Sequence, residues 1–200
     1  MLGATAAAAG AIAVGVAPRV RASSTLRSAG CTVRYPGYRD ADFQLPYAHY
    51  MQPRTAPAPQ AVADAVAAPP LPPGEVPRFA DLVRDLDPNG TSAVETGYGR
   101  GADGVVFVAA HTVMPRVTAA MWDWWFGWHS SEAARYKLWH PDAHRFAALD
   151  TDLTTADLTD RQKYVGNTTY VDEYVGPKLQ QLGINFRDPV AHGFTVPSDQ

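Results

Sequence analysis

The sequence predicts an α+β domain in which an antiparallel sheet packs against helices, and three observations support this class. First, a Gly/Asp-rich turn at 100–104 separates two strand-like segments, 92–99 and 105–112. Second, apolar residues spaced i, i+3, i+4 and i+7 over 79–86 indicate an amphipathic helix. Third, the segment 166–175, GNTTYVDEYV, has the composition and alternation of a strand.

Two helices are predicted between the hairpin and this last strand. Thr118 is placed to act as the N-cap of a helix that runs through Trp128, because its side-chain oxygen can accept a hydrogen bond from an exposed amide. Ser130 or Ser131 is placed to cap a second helix that ends at Trp139. The first of these helices carries four of the five tryptophans.

The other segments differ in how much apolar surface they can bury. The apolar run 105–108 predicts a strand buried on both faces. Residues 150–161 are polar and predict a loop or lid, and residues 23–77 predict an irregular arm followed by an Ala/Pro-rich linker. Residues 191–200 are typical of the start of a strand, so we expect the sheet to be incomplete at the C-terminus.

Residues 1–22 are interpreted as an export signal. The apolar run 2–16 is too short and too rich in alanine for a membrane span, which needs about 20 apolar residues. It resembles the middle of a twin-arginine signal that lacks its basic start, so the true start codon is expected further upstream. The mature protein is then expected to be periplasmic or extracellular. A disordered leader on a cytoplasmic protein is the alternative.

Composition limits the classes of function. Charged residues make up 18% of the chain, against about 25% in typical soluble domains, and the formal net charge is −3. No basic patch is interleaved with aromatic residues, so nucleic acid is not an expected partner. The single cysteine, Cys31, excludes an internal disulfide and a thiolate zinc cluster, and no catalytic role is predicted for it.

The segment 121–144, MWDWWFGWHSSEAARYKLWHPDAH, is the most informative part of the chain. It places four tryptophans within seven residues and follows them with His129, His140 and His144. Indoles beside imidazoles suit a buried site for an aromatic ligand and a metal, although they also suit a structural core. Because Pro141 separates His140 from His144, these two histidines are not expected to bind the same ion.

Five side chains are candidates for a site, each with a structural alternative. His144 is a candidate metal ligand or a satisfied core histidine. Adjacent strand residues point to opposite faces, so either Asp172 or Glu173 can lie beside an imidazole, where it suits zinc or iron, or at a solvated edge. Tyr136 can hydrogen-bond a substrate oxygen or fill the core. His129 can shape a pocket or interact with the carbonyls at the end of its helix.

A family resemblance rests on the WWF-x-WH block, the RY-x-LW-x-P-x-x-H block and GNTTYVDEYVG. Over roughly residues 95–194 the chain resembles the diacetylphloroglucinol hydrolase and phloretin hydrolase family. The resemblance implies a helix-grip (Bet v 1-like) fold, in which a curved antiparallel sheet around a cavity is closed by a long C-terminal helix. It also implies one zinc ion held by two histidines and two glutamates. The implied reaction is hydrolysis of the carbon–carbon bond between an acyl group and a phloroglucinol ring.

Residue by residue, the resemblance makes His144 and Glu173 zinc ligands and Tyr136 a catalytic residue that hydrogen-bonds the substrate phenol. Its other motif residues are expected to bind substrate in the pocket: Trp125, Trp128 and His129. The second histidine–glutamate pair and the closing helix are expected beyond residue 200, so 78–200 is interpreted as a partial hydrolase domain. Ala147 stands where a polar substrate contact is expected, which leaves the substrate open.

Three hypotheses follow. The first is a zinc-dependent carbon–carbon hydrolase of an acylated phenolic compound. The second is a non-catalytic protein of the same fold that binds an aromatic ligand, and the third is a fragment with a tryptophan core and no site. Zinc content separates the first from the others, and fluorescence quenching by acyl-phenols separates the second from the third. A homo-oligomer is compatible with each of them.

Overall fold

The computed structural model describes residues 12–15, 37–86, 92 and 94–195, and only the backbone is described for 12–15. Cys31 and the end of the segment predicted to start a strand, 196–200, lie outside the described residues. The described chain forms two compact units. The first contains the described parts of 56–122 and 187–195, and the second contains 12–15, 37–55 and 123–186.

The described chain combines helices with two antiparallel sheets, which confirms the α+β class. In chain order they are β1 (Ile12–Gly15), α1 (Gln60–Ala67), α2 (Leu82–Leu86), β2 (Thr96–Arg100), β3 (Val106–Ala110), α3 (Ala119–His129), α4 (Ala133–Trp139), β4 (His144–Leu149), α5 (Asp160–Tyr164), β5 (Thr168–Val175) and β6 (Lys178–Phe186). Short 3-10 turns occupy Asp40–Gln44, Ala48–Tyr50, Phe79–Asp81 and Val190–His192. No helix among the described residues is both long and apolar enough to cross a membrane.

The first unit contains the predicted hairpin, β2–β3, with Gly99 opposite Phe107. The prediction that 105–108 is buried on both faces is wrong, because Val106 is 61% exposed and Val108 is 73% exposed. A two-stranded sheet leaves one face uncovered, so its apolar residues alternate between contact and solvent. The predicted helix at 79–86 begins as a 3-10 turn at Phe79, which is itself exposed.

The second unit is built on a four-stranded antiparallel sheet with the order β1-β6-β5-β4. Strand β1 lies inside the segment interpreted as an export signal, and that interpretation stays a prediction. One face of the sheet carries the core, in which Tyr136 of α4 contacts Ala147 of β4 and Val171 of β5. This face therefore positions α4 directly over the strands that carry the candidate ligands.

The helix pair is as predicted, but only one of the predicted caps is correct. Thr118 caps α3, because its Oγ1 accepts from the Met121 amide at 3.2 Å. The serine cap of α4 is wrong, since Glu132 is the N-cap residue and makes no side-chain capping bond. Ser131 instead donates to the Trp128 carbonyl at 2.8 Å and closes the end of α3.

The helix α3 approaches the start of α5 closely at Gly127, where an added Cβ would lie 2.9 Å from the carbonyl oxygen of Asp160. Gly127→Ala is expected to lower the free energy of unfolding by about 1 kcal/mol. Overpacking typically costs about 1–3 kcal/mol, and the helix propensity of alanine offsets about 1 kcal/mol of it. Chemical denaturation measures this change. Gly74→Ala is the matched control, because open space surrounds Gly74, and an equal loss in both variants would contradict the expectation.

Candidate active site

The site begins with a register pair of strands β4 and β5. His144, the first residue of β4, lies opposite Glu173 of β5, and a β-bulge follows between His144 and Phe146. Directly opposed residues project on the same face of a sheet, and His144 Nε2 lies 3.7 Å from Glu173 Oε2. Asp172 lies opposite Phe146 and accepts a hydrogen bond from Gln181 at 3.2 Å. Of the two carboxylates, Glu173 is therefore the one beside the imidazole.

The imidazole of His144 is held in one tautomer. Its Nδ1 lies 2.8 Å from the carbonyl oxygen of Tyr136, which only accepts, so Nδ1 carries the proton. Burial lowers the pKa of His144 below its ordinary value, although the Tyr136 carbonyl and the Glu173 carboxylate act in the opposite direction. A neutral imidazole with its Nε2 lone pair toward a carboxylate is the state in which histidine binds a metal.

Tyr136 links the same carboxylate to α4. Its hydroxyl donates to Glu173 Oε2 at 2.5 Å, and its ring stacks on His144 with a centroid distance of 3.6 Å and an angle of 4°. Tyr136 is 5% exposed. Burial, together with the hydrogen bond and the charge of Glu173, raises the pKa of the phenol far above 10, so Tyr136 stays protonated and can donate a hydrogen bond throughout the physiological range. The structure thus brings together three of the six predicted site residues.

Behind Tyr136 the aromatic rings continue as a column. His129 stacks on Tyr136 at 5.9 Å and on Trp125 at 4.6 Å, and its Nδ1 donates to the Trp125 carbonyl at 2.7 Å. Burial lowers the pKa of His129 to about 4, so this ring is neutral at pH 7. His129 thus makes the carbonyl contact expected of a histidine at a helix end, and it also lies against the catalytic candidate Tyr136.

The two remaining predicted residues have different surroundings. The indole Nε1 of Trp125 is buried and has no hydrogen-bond partner among the described residues. Trp128 stacks on Trp124 at 5.2 Å and lies under the guanidinium of Arg135 at 4.7 Å. Trp125 therefore joins the column behind Tyr136, and its ring contact with Trp128 at 5.9 Å connects this column to the Trp124–Trp128 stack.

Sequence reasoning missed the partner of His140. Thr55 Oγ1 lies 2.7 Å from His140 Nδ1, and the Thr55 amide donates to Asp142 at 2.8 Å. The His140 and His144 rings are 5.6 Å apart. Thr55 and His140 are 85 positions apart in the sequence, so no local pattern signals this contact.

The metal-ligating side chains form a pair. Within residues 37–86, 92 and 94–195, no group of three or more His, Cys, Asp and Glu side chains converges as a metal site. His144 and Glu173 are thus two donors, whereas a zinc site uses three or four protein ligands. Further ligands would have to come from outside this pair.

Comparison with known proteins gives the family. A family model described as DAPG hydrolase PhiG domain matches residues 76–200. The chain belongs to this family. The phloretin hydrolase of Eubacterium ramulus is 32% identical over 161 residues, which are 79% of this chain and 59% of that protein. The 2,4-diacetylphloroglucinol hydrolases of a Pseudomonas species and of Pseudomonas protegens are each 34% identical over 122 residues, 60% of this chain and 41% and 39% of those proteins.

The match includes every candidate site residue of this DAPG hydrolase family member, because all of them lie between 125 and 173. The resemblance inferred from the sequence motifs is therefore confirmed at the level of the family. The chain spans between about two fifths and three fifths of the length of these curated relatives.

Proposed function

We propose that this chain is part of a zinc-dependent hydrolase that cleaves the carbon–carbon bond between an acyl group and a phloroglucinol-type phenolic ring. The observation that carries the proposal is the cluster of a neutral imidazole, a carboxylate and a protonated phenol on one face of the sheet. The names of the relatives, which are hydrolases of phloretin and of 2,4-diacetylphloroglucinol, support the same class of substrate.

The residues present fit two positions of a zinc site. Nitrogen of neutral histidine and oxygen of a carboxylate are donors that zinc accepts. The Nδ1–H of His144 is fixed by a backbone carbonyl, which is the usual outer support of a metal-binding histidine. His144 and Glu173 would hold the ion, and zinc would supply Lewis-acid chemistry at the acyl carbonyl and lower the pKa of water.

Tyr136 is proposed to act on the ring that leaves. In the reaction the acyl–ring bond breaks, the acyl carbon gains the hydroxyl of water, and the ring carbon gains a proton. A hydrogen bond from the phenol of Tyr136 to a ring oxygen would stabilise the keto form, in which that carbon is already protonated. The high pKa of Tyr136 keeps this donor protonated at neutral pH.

Two further proposals concern the fold of the complete domain and the export of the protein. The antiparallel sheet with α4 on one face is consistent with a helix-grip (Bet v 1-like) fold, which we propose for the complete domain. The alanine-rich segment at 2–16 supports export of the protein.

Ala147 is 3% exposed beside Tyr136, so the side chain at this position would influence which acyl-phenol fits.

Hydrolysis of 2,4-diacetylphloroglucinol and of phloretin, followed by chromatography of the products, tests the activity. The expected result is release of the free phenolic ring and the carboxylic acid, with loss of turnover after chelation and recovery with added zinc. Turnover that survives complete zinc removal would contradict zinc dependence. Saturable quenching of tryptophan fluorescence without turnover would instead favour a binding protein. This alternative is supported by the metal donors, because His144 and Glu173 are two donors whereas a zinc site uses three or four.

Tyr136→Phe is expected to lower kcat by about 10²–10³, because it keeps the ring and removes the hydroxyl that is proposed to donate to the substrate oxygen. Steady-state kinetics with an acyl-phenol measure the change. Tyr170→Phe is the matched control, because Tyr170 is 49% exposed and its hydroxyl donates to Asp150 on the other face of the sheet. Equal kcat values for the two variants would exclude the proposed role of Tyr136.

A further inference from the structure

A cavity of about 290 Å³ lies between α3 and the segment 154–163 in the second unit. Its lining residues include Trp124, Trp128 and Lys163, and do not include His144, Tyr136 or Glu173. The cavity is therefore separate from the residues of the proposed zinc site. Its volume is at the lower end of the range for ligand sites, about 300–1,000 Å³, and suits a ligand of one ring.

One wall of the cavity is formed by indoles. Trp124 and Trp128 stack with an interplanar angle of 17°, and the guanidinium of Arg135 covers Trp128. Trp124 is nevertheless 48% exposed. Trp124 lines the cavity and therefore offers it a flat aromatic surface. The negative face of an indole attracts the slightly positive C–H groups of an apolar ring face.

The rest of the lining is polar and carries charges of both signs. Lys163 Nζ lies 3.6 Å from Oδ1 of Asp160, and both residues line the cavity. Arg135, which lies over Trp128, has its Nε 2.9 Å from Oε2 of Glu132, a residue outside the lining. Thr155 adds a hydroxyl to the lining. Since each cation is matched by a carboxylate, the cavity favours a neutral ligand. A ligand that can both donate and accept is needed to use ammonium, carboxylate and hydroxyl groups together.

We propose that this cavity binds a neutral monosaccharide ring. A pyranose has an apolar C–H face for Trp124 and a rim of hydroxyls that donate to Asp160 and accept from Lys163. An aromatic carboxylate would meet the Asp160 carboxylate with the same charge. A phenol, with a single hydroxyl, would strip water from Lys163 and Asp160 and replace only part of its hydrogen bonds, which is unfavourable. The site would therefore bind sugars more tightly than either of these two classes of aromatic ligand.

Titration of the 200-residue chain with D-glucose, D-galactose and D-xylose, followed by saturation-transfer NMR and calorimetry, tests this site. Benzoate and phenol are the comparison ligands. The titrations are run with a zinc chelator, so their outcome does not depend on the proposed hydrolase activity. Saturable binding of at least one sugar, tighter than that of benzoate and phenol, is expected. Absence of sugar binding, or tighter binding of either comparison ligand, would overturn the proposal.

Variants locate the binding. Trp124→Ala and Lys163→Met are each expected to weaken sugar binding by about tenfold. Trp139→Ala is the matched control, because Trp139 is also 48% exposed and does not line the cavity, and it should leave the affinity unchanged. Circular dichroism checks that each variant folds. If Trp124→Ala is unfolded, the sugar affinity of Lys163→Met is the test of the site. Unchanged affinity in the folded cavity variants would place the sugar elsewhere and refute the site.

Discussion

Glu173→Gln is expected to abolish hydrolysis of acyl-phenols and to weaken zinc binding by more than about 100-fold. The substitution keeps the shape of the side chain but removes the charge that lies beside His144 Nε2 and accepts from Tyr136. Loss of an outer-shell partner already costs about 10- to 100-fold in metal affinity, so loss of the proposed direct ligand Glu173 should exceed the upper end of that range. Competition with a chromogenic chelator measures the affinity, and chromatography measures turnover.

The adjacent residue provides the control for this prediction. Asp172→Asn makes the same chemical change one position away, but on the other face of β5, where Asp172 interacts with Gln181. Zinc affinity and turnover should therefore stay at the level of the unmodified chain. His144→Ala should reproduce the loss seen in Glu173→Gln. If Glu173→Gln retains zinc and activity, the metal site lies elsewhere.

Lys137→Met is expected to lower the free energy of unfolding by about 3–5 kcal/mol. Lys137 is fully buried in α4, and its Nζ lies 3.0 Å from Oδ2 of Asp42, which is 5% exposed. Removing the ammonium leaves a buried carboxylate supported by the Arg39 amide and by Arg39 Nε at 3.8 Å. Urea denaturation measures the loss. Lys178→Met, at an exposed lysine, should change stability little.

The pH dependence of this loss has a definite sign. Burial alone raises the pKa of Asp42, but the Arg39 amide and Lys137 outweigh it, so the net pKa lies below 3.8. The contribution of Asp42 is therefore present above the unfolded pKa, about 3.9, and is lost as pH falls through the folded pKa. In Lys137→Met burial dominates and the carboxyl takes up a proton more readily. The stability gap between the two proteins should narrow toward pH 4, and a gap that widens would contradict this account.

Some of the candidate site was readable from local sequence. The motif 121–144 contains His144, Tyr136 and His129, and Pro141 correctly separates His140 from His144 into different elements. Alternation along β5 showed that Asp172 and Glu173 face opposite ways, but not which one faces α4. The pairing of His144 with Glu173 decides this, and that pairing joins residues 29 apart, 173 minus 144.

The two wrong predictions, the burial of 105–108 on both faces and the serine cap of α4, have a common cause. The run 105–108 is as apolar as a central strand. Its own residues, however, do not specify how many strands pair beside it or which element packs on its faces. The serine cap failed because Ser131 closes α3 and Glu132 takes the cap position of α4. In both cases the residues have the predicted strand or capping preference, but the neighbouring element determined which contacts they make.

Local sequence patterns were enough to predict the family, the α+β class, the hairpin and the residue types of the site, because these depend on short-range spacing and side-chain chemistry. Four features became visible in the folded chain: the tautomer of His144, the link from Tyr136 to Glu173, the buried Asp42–Lys137 pair and the cavity beside Trp124. Those features depend on distances between atoms that are 8 to 95 residues apart in the chain. Chain folding sets such distances by burying apolar surface as a whole, so no single segment encodes them.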